Sequence, residues 1–308
     1  MPNVKANGIQ IEYDTFGDTA AEPLLLIMGL GSQMIFWHED FCQTLADRGH
    51  YVIRFDNRDI GLSTKLDDAG VPDILQILNA LVQGGGGLQT PYTLDDMADD
   101  SVGLLDALDI ERAHVCGASM GGMIAQTVAI RHPQRVKSLV SIMSTTGDPS
   151  LPPARPEALS MLMTPPPPDR DGFIERSVVL WRTIGSPGFP IEEHLIRERA
   201  AMAYDRSYYP QGAARQLAAI LAHGSRRERL KTLRIPALVI HGIDDPLVPV
   251  DAGKDTAAHI AGAELLLIEG MGHDNPPEIW PRAIDAIARL TRRAALEEAQ
   301  RNAVPVAS

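Results

Sequence analysis

The sequence predicts an α/β protein: a mostly parallel central sheet flanked by helices, with a helical insertion. Three observations predict it. Six short apolar runs, PLLLIM, HYVIRF, RAHVCG, VKSLVSIM, PALVIHG and AELLLIEG, recur along the 308 residues. Continuous apolar runs of this length suit strands buried on both faces, as in a parallel sheet. Segments of helical spacing separate them, and strand–helix alternation is the pattern of an α/β sheet. The third observation is the exception, residues 148–231, which hold Pro-rich stretches and helical patterns without a strand pattern.

Taken in order, VKA and IQIEY flank Asn7-Gly8, the dipeptide that best accepts positive φ at both positions of a tight hairpin turn. Thr93 and Asp96 then have the spacing of a capping box. Leu94, Met97, Ala98, Ser101, Leu105 and Leu108 follow on one helical face. MGGMIAQTVAIRHP reads as a helix stopped near Pro133. Inside 148–231, FIERSVVLWRTI and AARQLAAILAHG read as helices separated from the preceding strand by TPPPPD. An all-helical insertion between two sheet strands reads as a cap, so the expected organisation is a core of 1–147 and 232–308 with a cap at 148–231. IDAIARLTRRAALEEAQRNAVPVAS closes the chain as a helix and a frayed tail.

Composition narrows the functional classes. A chain of this length with 44% hydrophobic residues can bury a full core. Its net charge of −12 and lack of a Lys/Arg cluster argue against nucleic acid as a partner. The most basic segment, HGSRRERLKTLR, suits a solvated helix. Cys42 and Cys116 have apolar flanks and read as reduced, packed thiols. MPNVKANGIQIEYDTFG has no apolar signal segment and no run is long enough to span a bilayer, so the expectation is a cytoplasmic protein without a membrane partner.

The chemistry-bearing stretch is HVCGASMGGMIA, where Ser119 sits between Gly117 and Gly121. A G-x-S-x-G spacing suits a serine forced into a sharp strand-to-helix turn, because that turn needs neighbours without bulky side chains. A serine hydroxyl becomes a competent nucleophile when a histidine takes its proton and a carboxylate orients the histidine. Of nine histidines, His273 ends LLLIEGMGH, where a strand runs into a Gly-punctuated loop and the ring can project over the sheet edge. His114 and His241 lie in apolar runs and read as structural, and His38 in FWHEDF ranks second. The acid belongs to the loop after the preceding strand, which offers Asp244 and Asp245 side by side. Successive extended residues point in opposite directions, so only one of the two can face the base.

These motifs resemble the α/β-hydrolase-fold serine esterases, and most closely the esterases related to aclacinomycin methylesterase. The resemblance rests on LLLIMGLGSQMIFW, VIRFDNRDIGLST, AHVCGASMGGMIAQ, PALVIHGIDDPLVP and IEGMGHDNPP, and it is weak in the cap. It implies Ser119 as nucleophile, His273 as base and Asp245, three residues after Gly242, as acid. It also implies an oxyanion hole from the backbone N–H groups of Met120 and of Leu30 in MGLG. Two departures stand out: there is no HGGG loop, and Asp59 in DNRDIGLS replaces a glycine common in relatives. Asp56 and Arg58 are expected to brace the oxyanion loop.

The reading is therefore a serine hydrolase that cleaves small to medium carboxylic esters through an acyl-enzyme, with no cofactor and no metal. GLGSQM lacks the third glycine of a dinucleotide fingerprint, GGGG at 84–87 lacks the Lys-Ser/Thr of a phosphate loop, and neither HExxH nor paired CxxC occurs. A dehalogenase or epoxide hydrolase would need an acid at position 119. Carbon–carbon bond hydrolase, lactonase and cofactor-free perhydrolase chemistry uses the same three residues, and a ligand receptor that retains the fold is the alternative from another class. The substrate pocket is expected to draw on Met161, Met163 and Trp181 of the cap, with Trp37 and His38 near its mouth.

Overall fold

The structure, a computed structural model, describes residues 2–83 and 88–303; the GGGG run at 84–87 and the tail from 304 lie outside the described residues. Strands β1 (Asn3–Ala6) and β2 (Ile9–Phe16) pair antiparallel across Asn7 and Gly8, whose φ values of 45° and 81° are those the turn requires. The six apolar runs become β3 (Glu22–Ile27), β4 (His50–Phe55), β5 (Ala113–Ala118), β6 (Val136–Ile142), β7 (Ala237–Gly242) and β8 (Glu264–Ile268). The sheet order is β1-β2-β4-β3-β5-β6-β7-β8. Only the β1–β2 and β2–β4 pairings are antiparallel.

Both faces are covered. Leu25 and Ile27 join one core with α3 (Leu94–Ala107) and α4 (Met120–Arg131), while Leu24 and Leu26 join another with α1 (Glu39–Asp47) and α11 (Trp280–Ala303). This alternation is the period-2 geometry of a strand buried on both sides. The capping box forms as expected: Thr93 Oγ1 accepts from the Asp96 N–H at 3.3 Å, and Asp96 Oδ2 accepts from the Thr93 N–H at 2.8 Å. α10 (Val250–Ala258) lies between β7 and β8.

Three expectations change. β8 is an edge strand, so its run is not buried on both faces, and Leu265 is 40% exposed. A helix, α2 (Ile74–Val82), N-capped by Asp73, lies in the long connection from β4 to α3, where none was expected. The basic segment is not simply a solvated face: Arg226 is buried, its Nε donating to Gln126 Oε1 at 3.0 Å and its Nη2 to the Thr145 carbonyl at 2.8 Å.

Between β6 and β7 run α5 (Pro156–Met163), α6 (Arg170–Ile184), α7 (Glu193–Arg206), α8 (Pro210–His223) and the short α9 (Arg227–Leu230). α5 and α7 pack on α6, and α8 packs on α2 and α3. α9 instead packs on α4 and α10, beside the sheet.

The chain order matters for the site. From β3 the chain moves outward to β4 and then returns to β5 on the other side of β3. That reversal leaves a crevice at the C-terminal ends of β3 and β5, the place where open α/β sheets bind ligands.

Candidate active site

Ser119 forms the turn from β5 into α4 with φ 56° and ψ −120°. An L residue in such a conformation costs on the order of 1–3 kcal/mol, so the surroundings must enforce it. They do so by close packing. A Cβ on Gly117 would stand 2.0 Å from the Gly121 carbonyl oxygen, and one on Gly121 would stand 2.0 Å from that of Ile27. The Ser119 N–H donates to the Ile142 carbonyl at 2.9 Å, and Ser144 Oγ donates to the Ser119 carbonyl at 2.8 Å. The glycines flanking the serine are thus steric requirements of the turn.

His273 follows β8 and brings its Nε2 to 2.9 Å from Ser119 Oγ, while its Nδ1 lies 2.7 Å from Asp245 Oδ2. Both His273 and Asp245 are buried. Asp245 is fixed in turn, because its Oδ1 accepts from the N–H groups of Leu247 and Val248 at 2.9 and 2.8 Å. With Asp245 ionised, Nδ1–H donates to it and Nε2 is left to accept the serine proton. Asp244 faces elsewhere: its Oδ2 accepts from the Gly270 N–H at 2.8 Å.

The loop after β3 runs beside the serine. A Cβ on Gly29 would lie 3.2 Å from Ser119 Cβ, so the backbone there passes close to the reacting oxygen, and Leu30 is the next residue. Met120 is the first residue of α4 and its N–H has no partner within the helix. The helix N-terminus adds partial positive charge at the same place. Three side chains hold the loop: Asn57 Nδ2 donates to the Met28 carbonyl at 2.9 Å, Gln216 Oε1 accepts from the Gly31 N–H at 2.9 Å, and Asp56 Oδ1 accepts from the Met34 N–H at 2.8 Å.

Asp56 therefore braces the loop as expected. The Arg58 side chain does not: its guanidinium binds the buried Asp100 at 2.6 and 2.7 Å, and only its carbonyl reaches the loop, through Gln216 Nε2 at 3.0 Å. Asp59 explains its own departure from glycine. Its φ is 70°, so the loop keeps the left-handed residue that a glycine would supply, and aspartate is among the side chains that tolerate it. The carboxylate then gains a partner, since Arg215 of α8 binds it through Nε and Nη2, each at 2.8 Å.

Two cavities open beneath the inserted helices, of about 340 Å³ and about 440 Å³. Leu30, Gly31, Met161 and Met163 line the first, His38 and Asp274 the second, and Phe36, Ser177 and Trp181 both. Neither lining includes Ser119 or His273; the Leu30–Gly31 backbone that lines the first cavity continues from Gly29, which lies beside Ser119. Trp37 lines neither. It is buried, its ring stacks on Phe41 with centroids 5.6 Å apart, and its carbonyl accepts from Arg54, so it belongs to the core. Ile74 of α2 and Phe173, Leu180 and Tyr208 were not anticipated as lining residues. For α6 the signal was present, because Phe173, Ser177, Leu180 and Trp181 follow helical spacing.

The other buried histidines have structural partners: His50 Nδ1 with the Leu45 carbonyl at 2.9 Å, His114 Nδ1 with Ser138 Oγ at 2.8 Å, and His241 Nε2 with the Val248 carbonyl at 2.8 Å. Cys42 and Cys116 are free and buried. Among the described residues no group of three or more His, Cys, Asp or Glu could hold a metal ion, and no helix is long and apolar enough to cross a membrane.

A serine on a strained strand-to-helix turn, hydrogen-bonded to a histidine that is hydrogen-bonded to a buried carboxylate, all at the C-terminal edge of this sheet, defines a serine-hydrolase-type enzyme. The chain belongs to the α/β hydrolase fold family, whose model matches residues 22–278. It is 30% identical over 304 residues to rhodomycin D methylesterase DauP of Streptomyces sp., covering 90% of this chain and 93% of that protein. It is 26% identical to 3-oxoadipate enol-lactonase 2 of Acinetobacter baylyi, covering 92% and 95%. Among solved structures, the meta-cleavage product hydrolase of Pseudomonas fluorescens superposes with a TM-score of 0.72 at 22% identity over 96% of this chain and 98% of that one. These likenesses show the α/β hydrolase fold family and do not single out the esterases related to aclacinomycin methylesterase.

Proposed function

We propose that this chain hydrolyses carboxylic esters through an acyl-enzyme. The observation that carries the reading is the Asp245–His273–Ser119 series, at 2.7 and 2.9 Å, aimed at the space beside the Gly29–Leu30 backbone. His273 Nε2 takes the proton from Ser119 Oγ as the oxygen attacks the ester carbonyl, and the N–H groups of Met120 and Leu30 hold the developing oxyanion. His273 then gives its proton to the departing alkoxide. In the second half it deprotonates the water that cleaves the acyl-enzyme, while Asp245 stabilises the imidazolium in both halves.

Helices α5 to α8 act as a cap over the serine, and the mainly apolar cavity beneath them takes the acyl part of small to medium esters. The likeness to a methylesterase at 30% identity over nearly the full length of both chains supports an ester with a small alcohol. The likeness to an enol-lactonase supports a second reading, since a lactone is a cyclic ester opened by the same steps.

A serine-directed phosphonate tests the mechanism. It should label the protein once, at Ser119, and stop turnover of an activated ester; loss of activity with label on any other serine overturns the assignment. A panel of methyl esters, longer alkyl esters and lactones under excess substrate then separates the two readings by kcat/KM. Release of no more than one equivalent of product would identify a ligand receptor instead.

A further inference from the structure

The loop that carries His273 is gripped by the last residue of α6, Ile184, and the segment that follows it to Gly188. The His273 N–H donates to the Ile184 carbonyl at 2.7 Å, and the Gly188 N–H donates to the Gly270 carbonyl at 2.9 Å. Between these, buried Ser186 makes two bonds: its Oγ accepts from the Gly272 N–H at 2.9 Å and donates to Asp274 Oδ1. The contact has no slack. A Cβ on Gly272 would lie 2.2 Å from the Gly185 carbonyl oxygen, and one on Gly188 would lie 2.5 Å from Gly270 Cα.

The residues on either side of His273 are therefore tied, through one hydroxyl, to the helix whose inner face forms the cavity walls at Phe173, Ser177, Leu180 and Trp181. On the opposite side, Asp244 ties Gly270 to the loop after β7. Among the described residues the imidazole's hydrogen bonds go to Asp245 and Ser119, so its distance from the serine depends on where the backbone of 270–274 is set.

We infer that Ser186 is a positioning residue for His273: its hydroxyl, bridging Gly272 and Asp274, fixes the loop so that Nε2 meets Ser119 Oγ. The inference rests on the proposed ester hydrolysis with His273 as base. Removing the hydroxyl leaves the Gly272 N–H buried without a partner, and the loop relieves that by shifting. A displacement of about 1 Å at a reacting group can cost up to about a hundredfold, and a partial shift costs correspondingly less. Substrate binding depends on the first cavity, whose lining includes none of Ser186, Gly272 and Asp274.

Ser186→Ala should lower kcat on an activated ester by about tenfold while KM stays within about twofold, with one phosphonate still bound per chain but bound about tenfold more slowly. Ser186→Thr, which keeps the hydroxyl, should restore most of kcat. Gly188→Ala, which pushes the same contact apart without touching the hydroxyl, should lower kcat in the same way. Three results overturn the inference: parent kcat in Ser186→Ala, a loss that Ser186→Thr shares at unchanged Tm, or a loss matched by an equal fall in the fraction of chains that can be labelled. Failure of the hydrolase reading is distinguishable, because the parent itself would then show no label at Ser119.

Discussion

Asp244 and Asp245 are neighbours that face opposite ways. Asp245 meets the base, and Asp244 holds the Gly270 end of the base's loop. Asp245→Asn presents an amide to Nδ1 and favours the wrong tautomer, so kcat should fall by about 10⁴-fold, as for the amidated acid of other triads. Asp244→Asn keeps an acceptor for Gly270 and should cost no more than about tenfold. Steady-state kinetics on titrated active sites compare them; the reverse ranking moves the acid to Asp244. Asp59 allows a second test at this scale. Asp59→Gly satisfies the φ of 70° but takes the carboxylate from Arg215, whose buried guanidinium is left with two neutral acceptors, the Gly70 carbonyl and the Tyr209 hydroxyl, each at 2.7 Å. Loss of one partner of a buried pair typically costs about 3–5 kcal/mol, far more than the relieved strain returns. A lowered denaturant midpoint is expected, and an unchanged one would show that the Gly70 carbonyl and the Tyr209 hydroxyl suffice for Arg215.

At the scale of elements, the strands were legible because apolar runs and helical periods alternate, and a parallel sheet buries such runs on both faces. β8 escaped that logic because composition does not say which strand lies at an edge. The serine and histidine were legible because each sits in a glycine pattern dictated by backbone clashes. Strand alternation excludes one of two adjacent aspartates without naming it, and the choice of Asp245 comes from the resemblance, which sets the acid three residues after Gly242. Trp37 read as a pocket residue because an aromatic beside a loop gives the same sequence signal in a core as in a cavity; its stacking on Phe41 decides for the core. The cap can be tested as an element. Met161 and Met163 of α5 and Trp181 of α6 line the first cavity, so under the proposed function they would touch what varies among esters rather than the shared carbonyl. Alanine at each should reorder a chain-length series of acyl esters by kcat/KM while leaving labelling at Ser119 intact. If all three folded variants keep the parent order, α5 and α6 do not select the substrate.

At the scale of the whole molecule, one reversal of strand order sets the Gly29–Leu30 backbone beside Ser119, and successive strands deliver Asp245 and His273 to the same edge. A sheet this fully covered also buries histidines that take no part in the chemistry, and they tie stability to pH. Burial holds His50, His223 and His241 below the ordinary imidazole value of about 6.5, with His223 pushed down to about 3, Arg226 and Arg229 adding to the effect there. In the window between about 6.5 and those lowered values, the unfolded chain binds protons that the folded chain does not, so stability falls as pH falls. Burial pushes the Asp100 and Asp274 carboxyls up, which works in the opposite sense and adds stability as pH drops toward their unfolded value of about 3.8. His223, with the largest shift, should dominate, and Tm should fall between pH 7.5 and 5.0. His223 accepts from Arg229 Nη2 through its Nε2 at 3.0 Å, as a neutral ring must. His223→Gln keeps an acceptor there without the capacity to titrate, so it should flatten the decline, and a Tm that is level across this range in the parent would show that the buried rings do not control it.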